Sequence, residues 1–241
     1  MNPMPSAWSL LHQAISLFLK NLKYFLKFYL ASFLVFVSFF IVFLIANFAL
    51  MALTKTTSGP IVALSGTVTF VAFIIIFTWL ISAGLVMTKS VINNQLLPIK
   101  DLFIQSKRLI LPLIGTNLLT GLIVLVGFIL FIIPGIILAV RYVFTQYIVI
   151  EENLSGLAAL KRSQELVKGK FWKVLGYSIF PTVVIFLISF ITSFVAQQLK
   201  TSAPLVYYTI SFASSVLSWV FGAVILVYSF LVYKTIASVN K

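Results

Sequence analysis

Residues 109–150 read LILPLIGTNLLTGLIVLVGFILFIIPGIILAVRYVFTQYIVI, and they hold a single charged side chain, Arg141. As one helix the stretch would reach about 63 Å at 1.5 Å per residue, twice the hydrocarbon thickness of a bilayer. It must therefore fold back on itself. Pro134-Gly135 is the place where the sequence allows it, because proline removes a backbone donor and glycine accepts a tight turn. The stretch thus predicts two spans near 109–132 and 135–150, the second short and entering the bilayer directly after the turn. Residues near Pro134 and Gly135 are expected to reach the exterior face although no charged loop marks it.

Working outward, four more uncharged runs are long enough to cross a bilayer. They predict spans near 28–52, 61–86, 174–197 and 205–232. The expected fold class is all-α: a polytopic membrane helix bundle of six transmembrane helices with short amphipathic cytoplasmic helices, in one membrane domain over 1–241. Composition agrees, since 61% of residues are apolar and 9% charged. About a quarter would be charged in a soluble domain. The run after Lys27 is too long for a signal-peptide core of about 7–15 residues, so it reads as a retained first span.

Charge sets the orientation. With the N-terminus inside, the cytoplasmic segments hold Lys20, Lys23 and Lys27, then Lys89, Lys100, Lys107 and Arg108. Lys161, Arg162, Lys168, Lys170 and Lys173 follow, and Lys234 and Lys241 close the chain. Only Lys55 and Lys200 fall outside. Such a bias predicts a multi-pass membrane protein with both termini cytoplasmic. The net charge of +13 is accounted for by this pattern, with anionic headgroups at the inner face as partners and no nucleic acid. The exterior loops, 55–60 and 200–204, are too short to form a domain, so any protein partner is expected on the cytoplasmic side.

Three polar segments precede the three hairpins. In residues 6–22, Trp8, Leu11, Ile15, Phe18 and Leu22 share a helical face. That helix either lies along the interface or packs on the bundle as a lead-in to the first span. Pro98 breaks the chain before a short basic segment over 101–108, where Asp101 suits a helix N-terminus. Residues 155–168 form a third polar helix with Leu157, Leu160 and Val167 near one face, ended by Gly169.

The candidate site residues are Arg141, Glu151, Glu152, Pro134 and Gly135. An intramembrane arginine is expensive unless it finds water, a partner or a headgroup. Three readings of Arg141 stay open: snorkelling toward a headgroup, an anion or lipid-headgroup site, and a hydrogen-bond anchor to carbonyls. Glu152 shares its face but lies about 16 Å along a helix, too far for direct pairing. Glu151 and Glu152 point about 100° apart on a helix, so they do not converge on a proton or a metal unaided. The plainer expectation is an interfacial pair meeting Lys161, Arg162 or Lys168.

No catalytic, cofactor-binding or metal site is expected. The chain has no cysteine and one histidine, His12, and it lacks nucleotide-binding, zinc-protease and serine-nucleophile motifs.

One stretch resembles a known family. In order it holds Ile133-Pro134-Gly135-Ile136, Arg141-Tyr142, Val149-Ile150-Glu151-Glu152, Ala159-Leu160-Lys161-Arg162-Ser163 and Leu166-Val167-Lys168-Gly169-Lys170-Phe171-Trp172. Over residues 130–177 this resembles the membrane region associated with bacterial glycerophosphoryl diester phosphodiesterases and related uncharacterised six-span proteins. The resemblance implies the membrane part alone, without the hydrolase barrel, in a prokaryotic plasma membrane. The functional expectation is a non-enzymatic multi-pass protein of membrane organisation, scaffolding lipid or cytoplasmic partners. The alternative is a small transporter or channel for an anionic or lipid-like solute.

Overall fold

The computed structural model describes residues 4–54, 59–200 and 202–239. Among them there are ten helices and no strand. In chain order they are α1 (Ala7–Lys20), α2 (Leu22–Thr54), α3 (Pro60–Ile92), α4 (Ile99–Lys107) and α5 (Ile110–Leu130). The remaining five are α6 (Ile132–Arg141), α7 (Thr145–Glu151), α8 (Leu157–Val167), α9 (Phe171–Leu199) and α10 (Pro204–Ser238). Six stretches are long and apolar enough to cross a membrane: Leu22–Leu50, Ala63–Ile92, Ile110–Leu130, Ile132–Glu151, Phe171–Leu199 and Leu205–Ser238. The protein is an all-α bundle of six membrane-spanning helices. Most spans run past the expected boundaries because Lys23, Lys27, Lys89, Lys173 and Lys234 stay helical. Those charges mark where water begins, and the helix hydrogen bonds continue beyond that point.

A short helix precedes each of three hairpins: α1 before α2–α3, α4 before α5 and α6–α7, α8 before α9–α10. The side-chain core lies at the end of the bundle that carries these short helices, the base. Phe25 and Phe28 of α2, Met87 of α3, Leu102 of α4, Ile148 of α7 and Tyr228 of α10 are all buried there. Toward the other end the long helices expose Phe40, Phe48, Phe70, Phe186, Phe190 and Phe212. Such surface is stable only against lipid.

α1 starts at Ser6, whose Oγ accepts from the Ser9 N–H at 3.1 Å, a serine N-cap. Its buried face is Leu10, Ala14 and Phe18, with Leu11 and Ile15 half-buried at its edge. Trp8 and Leu22, expected on the inner stripe, are exposed. The helix is rotated from the expected face because it packs on α9 and α10. The Tyr177 hydroxyl donates to the Pro5 carbonyl at 2.7 Å, and Trp8 meets Phe180 edge to face. In α8, Leu160 and Val167 are buried as expected, but Leu157 is exposed and Ser163 is fully buried. Gly169 does follow the helix, at φ +76°.

The middle hairpin turns at Phe131, whose extended backbone (φ −166°, ψ 157°) separates α5 from α6. This corrects the expected break at Pro134-Gly135. Proline at the third position of a helix removes only an N–H that has no intrahelical partner, and it disfavours helix upstream, so the break falls before it. Gly135 serves a close approach instead. A Cβ there would meet the Phe128 ring at 2.5 Å, and one on Gly127 would lie 3.1 Å from the Gly135 Cα. These two glycines let α5 and α6 touch backbone to backbone. The fourth span is also not one helix, since residues 142–144 form a turn between α6 and α7.

Candidate functional site

The turn at 142–144 is built with help from α8. Ser163 Oγ donates to the Arg141 carbonyl at 2.7 Å and accepts from the Phe144 N–H at 3.3 Å. One buried hydroxyl thus serves two backbone groups that the break leaves without helix partners. Gln164 Nε2 donates to the Tyr142 hydroxyl beside it. The serine of Ala159-Leu160-Lys161-Arg162-Ser163 is therefore a stitch across the broken span. Only knowledge of the break could have revealed that role from sequence.

Glu151 and Glu152 end α7 and are held by three other helices. Glu151 lies 2.9 Å from Lys89 Nζ of α3 and 3.3 Å from Lys234 Nζ of α10. Lys89 Nζ also donates to the Ile150 carbonyl at 3.0 Å, and Lys234 donates to Asn93 Oδ1. Glu152 accepts from Arg162 Nε at 2.9 Å and from the Tyr233 hydroxyl at 3.0 Å. The two carboxylates diverge, as adjacent helical residues must, and each finds its own cations. Arg162 was among the expected partners. Lys161 and Lys168 make no such contact, while Lys89 and Lys234 do. The hydrogen bond to Glu152 holds the Arg162 guanidinium above its ordinary pKa. This arrangement is a latch joining α3, α7, α8 and α10, not a pair of carboxylates facing a shared substrate. Among the described residues, no three His, Cys, Asp or Glu side chains are grouped to hold a metal ion.

Arg141 lies apart from that latch and pairs with neither glutamate. It is the last residue of α6, its side chain is exposed, and it forms part of the wall of an open notch of about 640 Å³. The other walls are Ile137 of α6; Lys161, Gln164, Glu165 and Val167 of α8; Lys168 and Gly169 of the turn; and Phe171 and Trp172 of α9. The notch combines charged and apolar walls, and Arg141 enters it as an exposed side chain, not as part of the buried core. Arg141, Lys161 and Lys168 make no ion pair or side-chain hydrogen bond among the described residues. Glu165, in the lining, lies 3.7 Å from Arg162, which is not part of it. Nearby, burial and the charge of Lys173 hold the Lys170 ammonium below its ordinary pKa. Positive charge is crowded around the α8–α9 turn. Pro134 and Gly135 stand away from both clusters and shape the hairpin only.

The family described as Domain of unknown function (DUF7847) matches residues 102–236. The match spans the broken fourth span, the notch and the glutamate latch except Lys89 and Asn93. No curated protein and no solved structure matches the chain.

Proposed function

The chain belongs to the DUF7847 family, and from that premise we propose that it is a non-enzymatic multi-pass protein of the plasma membrane. In this reading both termini are cytoplasmic, and the protein organises the membrane by gathering anionic lipid headgroups at its inner face. The observation that carries it is the construction of the base. The three short helices α1, α4 and α8 are fixed to the spans by a common core, and α8 is also held by the glutamate latch. They carry exposed basic side chains, among them Lys20, Lys100, Lys161 and Lys168. Each lysine or arginine near an anionic leaflet contributes about 1 kcal/mol of attraction. A rigid basic base is suited to holding lipid or a cytoplasmic partner in place. The resemblance of residues 130–177 to a membrane region that accompanies phosphodiesterases of glycerophosphodiesters supports a lipid setting.

The test is the lipid content of polymer-bounded discs cut from native membrane around the protein. The proposal expects a higher ratio of anionic to zwitterionic lipid than in the bulk membrane. An equal ratio would contradict it.

A transport reading has one observation in its favour. A chamber of about 190 Å³ between α7, α9 and α10 has Tyr147, Ser178 and Ser229 in its lining beside Phe144, Pro181 and Ile225. Solute flux into proteoliposomes that depends on the protein would move the assignment to transport.

A further inference from the structure

We infer that the Arg141 notch is a specific site for one phosphate-bearing lipid headgroup, with Arg141, Lys161 and Lys168 as its cationic ligands. The inference rests on the inner-face lipid reading and adds to it a location, a chemistry and a stoichiometry.

Three observations converge on the site. The first is charge without partners. Arg141 reaches the notch from α6, Lys161 from α8 and Lys168 from the turn after it, and none is neutralised by a carboxylate. The acid in the lining, Glu165, lies 3.7 Å from Arg162. Three cations in one lining match the several acceptor oxygens and the charge of a phosphodiester.

The second observation is the wall below the cations. Ile137, Phe171 and Trp172 line the same notch, and Trp172 is 80% exposed. A free inorganic phosphate gains nothing from an apolar wall. A phospholipid does, because its glycerol and first acyl carbons follow the headgroup inward, and an exposed tryptophan suits that boundary.

The third is depth. The notch lies at the first turn of α9, a helix of 29 residues that runs about 43 Å away from it toward the far end of the bundle. The exposed charged face of α8, with Lys161, Glu165 and Lys168, places the same level at water or headgroups. The α8 and α9 walls of the notch therefore stand where a headgroup is found.

The backbone of the site is also fixed. Ser163 ties the Arg141 carbonyl to α8 at 2.7 Å, so the arginine and Lys161 are carried by elements stitched together. The backbones that carry Arg141 and Lys161 are thus held in register before any ligand arrives, which lowers the cost of binding.

The test is quenching of tryptophan fluorescence in the full-length protein, reconstituted in nanodiscs, by phosphatidylglycerol with brominated acyl chains. Brominated phosphatidylcholine is the headgroup control, and Trp172→Phe identifies the Trp172 contribution. Removing one basic group near a membrane surface weakens binding about fivefold. The triple variant Arg141→Gln, Lys161→Gln, Lys168→Gln should therefore lose on the order of a hundredfold in affinity at Trp172. The charge-keeping variant Arg141→Lys, Lys161→Arg, Lys168→Arg should stay within a few-fold of wild type. The distant triple Lys20→Gln, Lys23→Gln, Lys27→Gln removes three exposed charges elsewhere on the base and should leave quenching at Trp172 unchanged. Equal loss in the two neutralising triples would overturn the specific site while leaving general lipid attraction intact. Loss in neither would overturn the site as well. Competition by inorganic phosphate as effective as by dioctanoyl phosphatidylglycerol would overturn the lipid assignment and leave a free-anion site.

Discussion

The hydroxyl of Tyr228 on α10 donates to the carbonyl of Tyr177 on α9 at 2.9 Å. That carbonyl is four residues before Pro181, which lies inside α9 and has no N–H to offer it. A tyrosine on the neighbouring span therefore supplies the donor that the proline removes, and it does so where water is scarce. The relationship makes a specific prediction. Tyr228→Phe should lower the stability of the purified protein by about 1–3 kcal/mol, the cost of leaving a buried acceptor unserved. In a Pro181→Ala background, where alanine can donate to the same carbonyl, the change should cost well under half as much. Thermal unfolding of the four proteins in detergent gives the cycle, and strict additivity would reject the linkage.

The glutamate latch predicts an order of effects among three similar substitutions. Glu151→Gln removes the charge facing both Lys89 and Lys234, and Glu152→Gln the charge facing Arg162. Both residues are largely sheltered, so each change should cost about 1–3 kcal/mol. Glu165→Gln disturbs an exposed contact at 3.7 Å and should stay within about 0.5 kcal/mol. Unfolding midpoints for the three variants test the ranking. A Glu165 effect equal to that of Glu151 would show that the latch does not hold the four helices together.

The close approach of α5 and α6 predicts which glycine matters. Gly135→Ala places a methyl 2.5 Å from the Phe128 ring and should destabilise by about 1–3 kcal/mol through overpacking. Gly115→Ala meets no atom within 4 Å and lies inside α5, so it should be neutral or stabilising by up to about 1 kcal/mol. Equal melting of the two variants would mean that the hairpin is not packed backbone to backbone.

The span count was legible because bilayer thickness sets how long an apolar run can be: four runs fit one crossing each and the fifth, 109–150, is long enough for two. The turn of the middle hairpin was misplaced by three residues. Proline reads as a break at its own position, but its effect falls on the residues before it, and Phe131 carries no composition signal. The face of α1 was misread because an apolar stripe fixes which residues can be buried, and the partners α9 and α10 then choose among them. Arg141 and the glutamates stand out as rare charges in an apolar chain. Lys89, Asn93, Tyr233 and Lys234 were invisible as their partners, because the contacts join helices far apart in the chain. Ser163 is one serine among many until the turn at 142–144 gives its hydroxyl two backbone groups to serve.

Both the gathering of anionic lipid and the proposed headgroup site require the charged base to face the cytoplasm. The chain has no cysteine, so a single introduced thiol reports its side of the membrane without background. The direct measurement is labelling by a membrane-impermeant maleimide in intact cells and in opened membranes, for Lys168→Cys at the notch and Ser202→Cys at the far end. The account predicts that Ser202→Cys labels in intact cells and that Lys168→Cys labels only after the membrane is opened. Labelling of Lys168→Cys in intact cells would place the notch outside and contradict the account.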